Sequence, residues 1–136
     1  MSFVLGAMKR FLDVKTGYDT KGYFDYDEMR CNCGCRLYII DIPFIKRLNI
    51  ARYISGVAYP ISSWTRCPTW NKHEGGSDTS SHLTGKAGDI KCAGSLKRFK
   101  ILFGLLLAGF TRVGIAKSFI HADEDMDKPK PRLWVY

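Results

Sequence analysis

The sequence predicts an α+β fold: a single domain over residues 1–136, with a small antiparallel sheet and flanking helices. Three observations carry this expectation. A chain of 136 residues with 46% hydrophobic content has room for one domain around one core. Segments with apolar residues at the 3, 4 spacing of a helix are mixed along it with short strand-like segments, the order expected when helices and antiparallel strands share a core. No repeat and no low-complexity tract interrupts that order.

Val4, Leu5, Met8, Phe11 and Leu12 predict a short amphipathic helix over residues 3–14, broken by residues 17–22. An extended entry at Tyr23 then leads into a helical turn that ends near Met29. Asp25 or Asp27 serves as its cap, and the early acids suit the positive end of a helix. Over residues 41–57, Ile42, Phe44, Ile45, Leu48, Ala51 and Ile54 form one helical face, and Lys46, Arg47, Asn49 and Arg52 the other. Asp41 suits the N-cap, Pro43 an early helical position and Gly56 the stop. Residues 59–63 resume as a strand. Residues 66–84 turn to Pro, Asn, Gly, Ser and Thr and read as one long loop, which in a small domain is usually functional or disordered. Residues 87–92 read as a strand, 95–107 as a helix stopped by Gly109, and 111–115, 118–122 and 133–136 as three short strands. The most apolar run, ILFGLLLAGF from Ile101 to Phe110, is about half of the roughly 20 residues a membrane span needs and reads as a buried helix.

The chain is basic, with 21 Lys and Arg against 13 Asp and Glu, a net charge of +8 and a pI near 9.4. The basic residues are scattered rather than gathered into an arm. The charge therefore suits polyanionic surroundings (nucleic acid, anionic lipid or an acidic wall polymer) without choosing among them. Residues 1–8 carry no charged region followed by a long apolar run, which predicts no autonomous secretory export.

Chemistry concentrates around the histidines His73, His82 and His121. The stretch SSHLTGKAGDI, from Ser80 to Ile90, holds one imidazole and one carboxylate, His82 and Asp89, around Gly85 and Gly88. A zinc hydrolase commonly presents three protein ligands and keeps a position open for water, so these two need one more donor. His121 suits that role, because it lies in FIHAD at strand-like alternation. Asp123, two residues on, shares its face and supplies a carboxylate as a candidate general base. The two glycines let the chain turn sharply and approach another backbone closely.

Ser80-x-His82-x-x-Gly85-x-Ala87-x-Asp89 resembles the S-x-H-x-x-G-x-A-x-D signature of the zinc D-alanyl-D-alanine carboxypeptidase and endolysin peptidase family, which shares its fold with the hedgehog signalling domain. The resemblance reaches upstream to Ile61, Ser62, Ser63, Arg66, Cys67, Pro68 and Asn71, and downstream to Phe119, Ile120, His121, Asp123, Arg132 and Trp134, covering about residues 24–134. It implies a zinc metallopeptidase that hydrolyses bacterial peptidoglycan, as a D,D-carboxypeptidase or an L,D- or D,D-endopeptidase, in a phage-type endolysin or a wall-remodelling enzyme. Carried over residue by residue, His82, Asp89 and His121 bind Zn2+, while Arg66 and Ser80 hold or polarise the substrate's carbonyl or carboxylate. Many relatives place the base three residues before the last histidine, where this chain has Ser118. Asp123 is then the nearest carboxylate, with Glu124, Asp125 and Glu74 as further candidates. The expected partners are peptidoglycan stem peptides, with no nucleic acid and no membrane span. The chain is expected to be a monomer made in the cytoplasm and acting at the bacterial wall or periplasm.

Two other functions stand beside this one: a catalytically inactive, zinc-stabilised binding domain, and a basic nucleic-acid-binding zinc protein. The latter draws on the charge and on 7 Tyr, 8 Phe and 3 Trp, but no recognition-helix pattern or aromatic-basic ribonucleoprotein motif accompanies them. The cysteines Cys31, Cys33, Cys35, Cys67 and Cys92 match zinc-site spacing poorly, because the CxC repeat has no distal C-x2-C or H-x3-H. A disulfide from the cluster to Cys67, or free thiols, is the expectation. The acidic residues 123–127 read as a solvated turn before Pro129.

Overall fold

The computed structural model describes residues 22–136, so the helix expected over residues 3–14, the break after it and the reading of residues 1–8 lie outside the described residues. Helix α1 (Tyr26–Met29) starts at Asp25, whose backbone N–H donates to the Glu28 carboxylate at 2.8 Å. Helix α2 (Ile42–Ser55) starts where Asp41 accepts the Phe44 N–H at 2.9 Å and stops where Gly56 turns left-handed at φ 66°. Strand β1 (Ile61–Ser63) and a short helix α3 (Pro68–His73) follow, then a 3₁₀ turn (Ser81–Thr84) and strand β2 (Ala87–Lys91). Helix α4 (Ser95–Leu107), β3 (Arg112–Ile115), β4 (Phe119–Asp123) and β5 (Arg132–Val135) complete the chain.

The strands form one sheet in the order β1-β2-β4-β3-β5. The expected antiparallel pairing holds for β1 with β2, β2 with β4 and β4 with β3, while β5 joins β3 in parallel. The parallel edge follows from the route of the chain. Strand β4 ends beside the start of β3, and residues 124–131 cross at that same end, so β5 starts level with Arg112 and runs alongside β3.

Side-chain alternation gives this sheet two different faces. Ile90, Val113, Ile120 and Ala122 point into a core shared with Phe44, Leu48 and Ala51 of α2 and with Ile101 and Leu105 of α4. Trp64 sits inside it, edge-on to Phe24 and Phe44. Asp89, His121 and Asp123 alternate to the opposite face, where no helix of the core covers them. The helical layer thus stabilises the sheet from behind and leaves its polar side for chemistry.

Helices α2 and α4 approach closely at Gly104, where a Cβ would run into the Ser55 hydroxyl and the Ala51 carbonyl. Gly104→Ala is expected to lower the urea midpoint. The propensity gain of about 1 kcal/mol is opposed by an overpacking cost toward the upper end of about 1–3 kcal/mol, because a backbone carbonyl cannot rotate away. A midpoint at or above that of the parent chain would contradict this packing.

Two expectations change. Residues 66–84 are not one loop, because several residues that read as loop formers act as caps. Cys67 Sγ accepts the Trp70 N–H at 3.3 Å with Pro68 opening α3, and Ser80 Oγ accepts the His82 N–H at 3.3 Å at the 3₁₀ turn. The apolar run in α4 is buried on one side only. Ile101, Gly104 and Leu105 face the core, while Leu96, Phe99, Phe103 and Leu106 are exposed, since α2 and the sheet cover a single face of this helix. Among the described residues no helix is long and apolar enough to cross a membrane.

Candidate metal centre

The register between β2 and β4 sets Asp89 directly opposite His121. The 3₁₀ turn brings His82 to the same place, held by the bond from the Arg66 N–H to the His82 carbonyl at 3.0 Å. Gly85 ends that turn at φ 71°, with Ile39 packed where a Cβ would stand, so the turn needs a glycine there. Gly88 has no such need: a Cβ would only touch Phe44 at an ordinary 3.4 Å.

The three side chains are buried, and their donor atoms lie within 4.8 Å of one another. Asp89 Oδ1 is 2.9 Å from His121 Nδ1, and Asp89 Oδ2 is 3.3 Å from His82 Nε2. Each imidazole has its other nitrogen held by an acceptor, which fixes the orientation of the ring. His82 Nδ1 donates to the Trp64 carbonyl at 2.6 Å, and His121 Nε2 donates to Asp123 Oδ2 at 2.8 Å. His82 Nε2 and His121 Nδ1 both face the Asp89 carboxylate, and a metal there would replace the protons they share with it. Two imidazoles and one carboxylate, buried and oriented from behind, make the N,O donor set that zinc takes in sites open to substrate.

The electrostatics keep Asp89 ionised at this point. Burial pushes the Asp89 carboxyl up, but the hydrogen bonds and charge of His121 and His82 outweigh it and hold Asp89 well below the usual carboxylate range. Burial likewise pushes His121 down, and the carboxylates of Asp123 and Asp89 on either side of its ring more than reverse this. His73 lies elsewhere, exposed at the end of α3 and stacked on Trp70 with centroids 4.6 Å apart.

Asp123 shares the face of His121 as alternation requires, but the imidazole stands between it and the Asp89 carboxylate. It lies across the imidazole from Asp89, with both oxygens engaged. Oδ2 takes the His121 proton, while Oδ1 accepts from Arg112 Nε at 2.8 Å and from the Asp125 N–H at 3.2 Å. Burial raises its pKa, and the bonds from His121, Asp125 and Arg112 bring it below the ordinary value. The other candidate carboxylates are also distributed. Glu124 pairs with Arg47 and Asp125 accepts from Ser81 Oγ at 2.8 Å, whereas Glu74, among the described residues, makes no ion pair or side-chain hydrogen bond.

A cavity of about 350 Å³ opens over the centre, with Arg66, Glu74, Ser80 and Trp134 in its wall and His82, Asp89 and His121 lining it with them. Arg66 is held by Ser63 Oγ at 2.9 Å and Asn71 Oδ1 at 3.4 Å, and reaches Asp89 Oδ2 at 3.3 Å. Ser80 lines the cavity and caps the turn that carries His82. Sequence reasoning overlooked Arg112, which donates to Asp123 and lies 5.3 Å from the Trp134 ring. Its signal was the alternation in RVGI, which places Arg112 on the site face with Gly114. At Gly114 the absence of a Cβ leaves room for the Trp134 indole, itself 5.5 Å from the His121 ring. The acidic residues after Asp123 form a turn in which Asp127 N–H donates to Asp125 Oδ1 at 3.1 Å.

A family model described as Peptidase M15 matches residues 22–123 of the chain. No curated protein and no solved structure matches it.

Proposed function

The chain belongs to the peptidase M15 family, and from that premise we propose that it is a zinc peptidase that hydrolyses peptide bonds of bacterial peptidoglycan. The observation that carries this reading is the convergence of His82 Nε2, Asp89 and His121 Nδ1 on one buried point beneath a cavity. When bound there, zinc supplies a Lewis acid that polarises a carbonyl and acidifies water to a pKa of about 7.

The chain's own residues supply the rest. The Trp64 carbonyl and the Asp123 carboxylate fix the orientation of both imidazole rings. Arg66, anchored by Ser63 and Asn71, keeps N–H groups free for a substrate carbonyl or carboxylate, and the Ser80 hydroxyl can donate beside it. Asp123 acts as a positioning residue for His121. Glu74 is the cavity carboxylate left unengaged, and it takes the proton from water and passes it to the leaving amine. Arg66 and Lys128 in the lining offer cationic contacts to stem peptides, which carry free carboxylates. In this reading the protein works at the bacterial wall, as a phage-type endolysin or a wall-remodelling enzyme.

Mass analysis of fragments released from purified peptidoglycan by the zinc-loaded protein tests the substrate class. Stem-peptide fragments with new termini at one type of peptide bond are expected. Cleavage of an ordinary L-peptide with peptidoglycan left intact would overturn the assignment.

A further inference from the structure

The fold brings together four cysteines, one of them Cys67, next to Arg66 in the chain. Cys31, Cys33 and Cys35 come from the turn after α1 and Cys67 from the N-cap of α3, and all four Sγ atoms lie within 4.8 Å of one another. We propose that Cys31, Cys33, Cys35 and Cys67 form a second metal site, a tetrathiolate zinc centre that staples the segment after α1 to the segment carrying Arg66.

The sulfur separations carry this. Cys31 and Cys33 are 3.5 Å apart, and Cys33 and Cys67 are 3.7 Å apart. Ligands about 2.3 Å from a tetrahedral zinc stand about 3.8 Å from one another. Disulfide sulfurs would be about 2.05 Å apart, and all four cysteines are free. Thiol-to-thiol hydrogen bonds are weak and do not by themselves gather four sulfurs.

The backbone is arranged for sulfur ligands as well. Amide N–H groups point at two of the sulfurs, from Cys67 to Cys31 Sγ at 3.4 Å and from Trp70 to Cys67 Sγ at 3.3 Å, the outer-shell support that orients thiolates. The turn is closed without help from the sulfurs, by Cys31 N–H to the Leu37 carbonyl at 2.7 Å and by Asn32 Nδ2 to the Ser62 carbonyl at 2.7 Å. Gly34 at φ 89° and Arg36 at φ 66° give it the tight bend that three closely spaced ligands require.

Spacing alone obscured the site, because the fourth ligand is Cys67 rather than a second local pair. On binding, each thiol releases its proton to solvent and zinc remains divalent, so no oxidant or reductant is involved. Cys92 takes no part, being packed in the hydrophobic core. The centre fixes the start of α3, whose end leads to Glu74. It does not depend on the peptidase reading.

The test uses the full chain and two readouts. Cys33 and Cys35 are exposed, so burial cannot protect them from a small alkylating reagent. In zinc-loaded protein both are expected to resist alkylation and to become reactive after chelation. Cobalt-substituted protein is expected to show thiolate-to-cobalt charge transfer, which the sulfur-free His82 centre cannot give. That band should survive in a His82→Ala/His121→Ala variant and vanish in Cys33→Ser/Cys35→Ser. If the cysteine variant fails to fold, alkylation of the unaltered chain still decides. Equal alkylation with and without zinc, or disulfides linking these residues in the purified protein, would overturn the proposal.

Discussion

His121→Ala is expected to abolish zinc binding at the His82 centre and to lower peptidoglycan turnover by about a thousand-fold or more, roughly 4 kcal/mol of transition-state stabilisation. The imidazole is the hinge between two carboxylates, presenting Nδ1 toward Asp89 and donating from Nε2 to Asp123. Its removal takes away one of three donors and leaves the buried Asp123 with Arg112 as its remaining side-chain partner. Zinc analysis, turnover and circular dichroism on the same preparation check this. A folded variant that keeps both metal at this centre and turnover would refute the assignment of His121 as ligand.

The second large effect separates two carboxylates. Asp123→Asn is expected to weaken zinc affinity by about 10–100-fold, with turnover largely regained at saturating zinc, because its partner is the ligand rather than the water. Glu74→Gln is expected to leave zinc affinity unchanged and to lower turnover by about 10²–10⁴-fold, the range for removing a general base. Zinc titrations and turnover at saturating metal distinguish the pair. Unchanged zinc affinity with turnover abolished in Asp123→Asn would exchange the two roles.

Much of this arrangement was legible in the sequence. The helix over 95–107 and the caps Asp41 and Gly56 could be read because periodicity and capping chemistry agree there. His82 and Asp89 were legible through a motif and His121 through strand alternation, and the sheet register accounts for why Asp89 and His121 meet. Other features depend on tertiary placement. Alternation put Asp123 on the face of His121 but could not tell that the imidazole would stand between it and Asp89. Helix α3 hid in a stretch whose Pro, Asn and Ser content resembles a loop, and the exposed side of α4 carries the same leucines and phenylalanines as its buried side. The union of Cys67 with the CxCxC turn follows from how β1 and α1 pack, which no local spacing encodes.

In the proposed function, the His82, Asp89 and His121 centre makes this chain a zinc-dependent peptidase. The most direct measurement is the release of new amino termini from purified peptidoglycan by the metal-loaded protein, before chelation, after chelation and after zinc is restored. Release is expected to stop when the metal is stripped and to return with zinc. Release that continues unchanged in the stripped protein, or zinc bound at this centre with no new amino termini at all, would contradict that function.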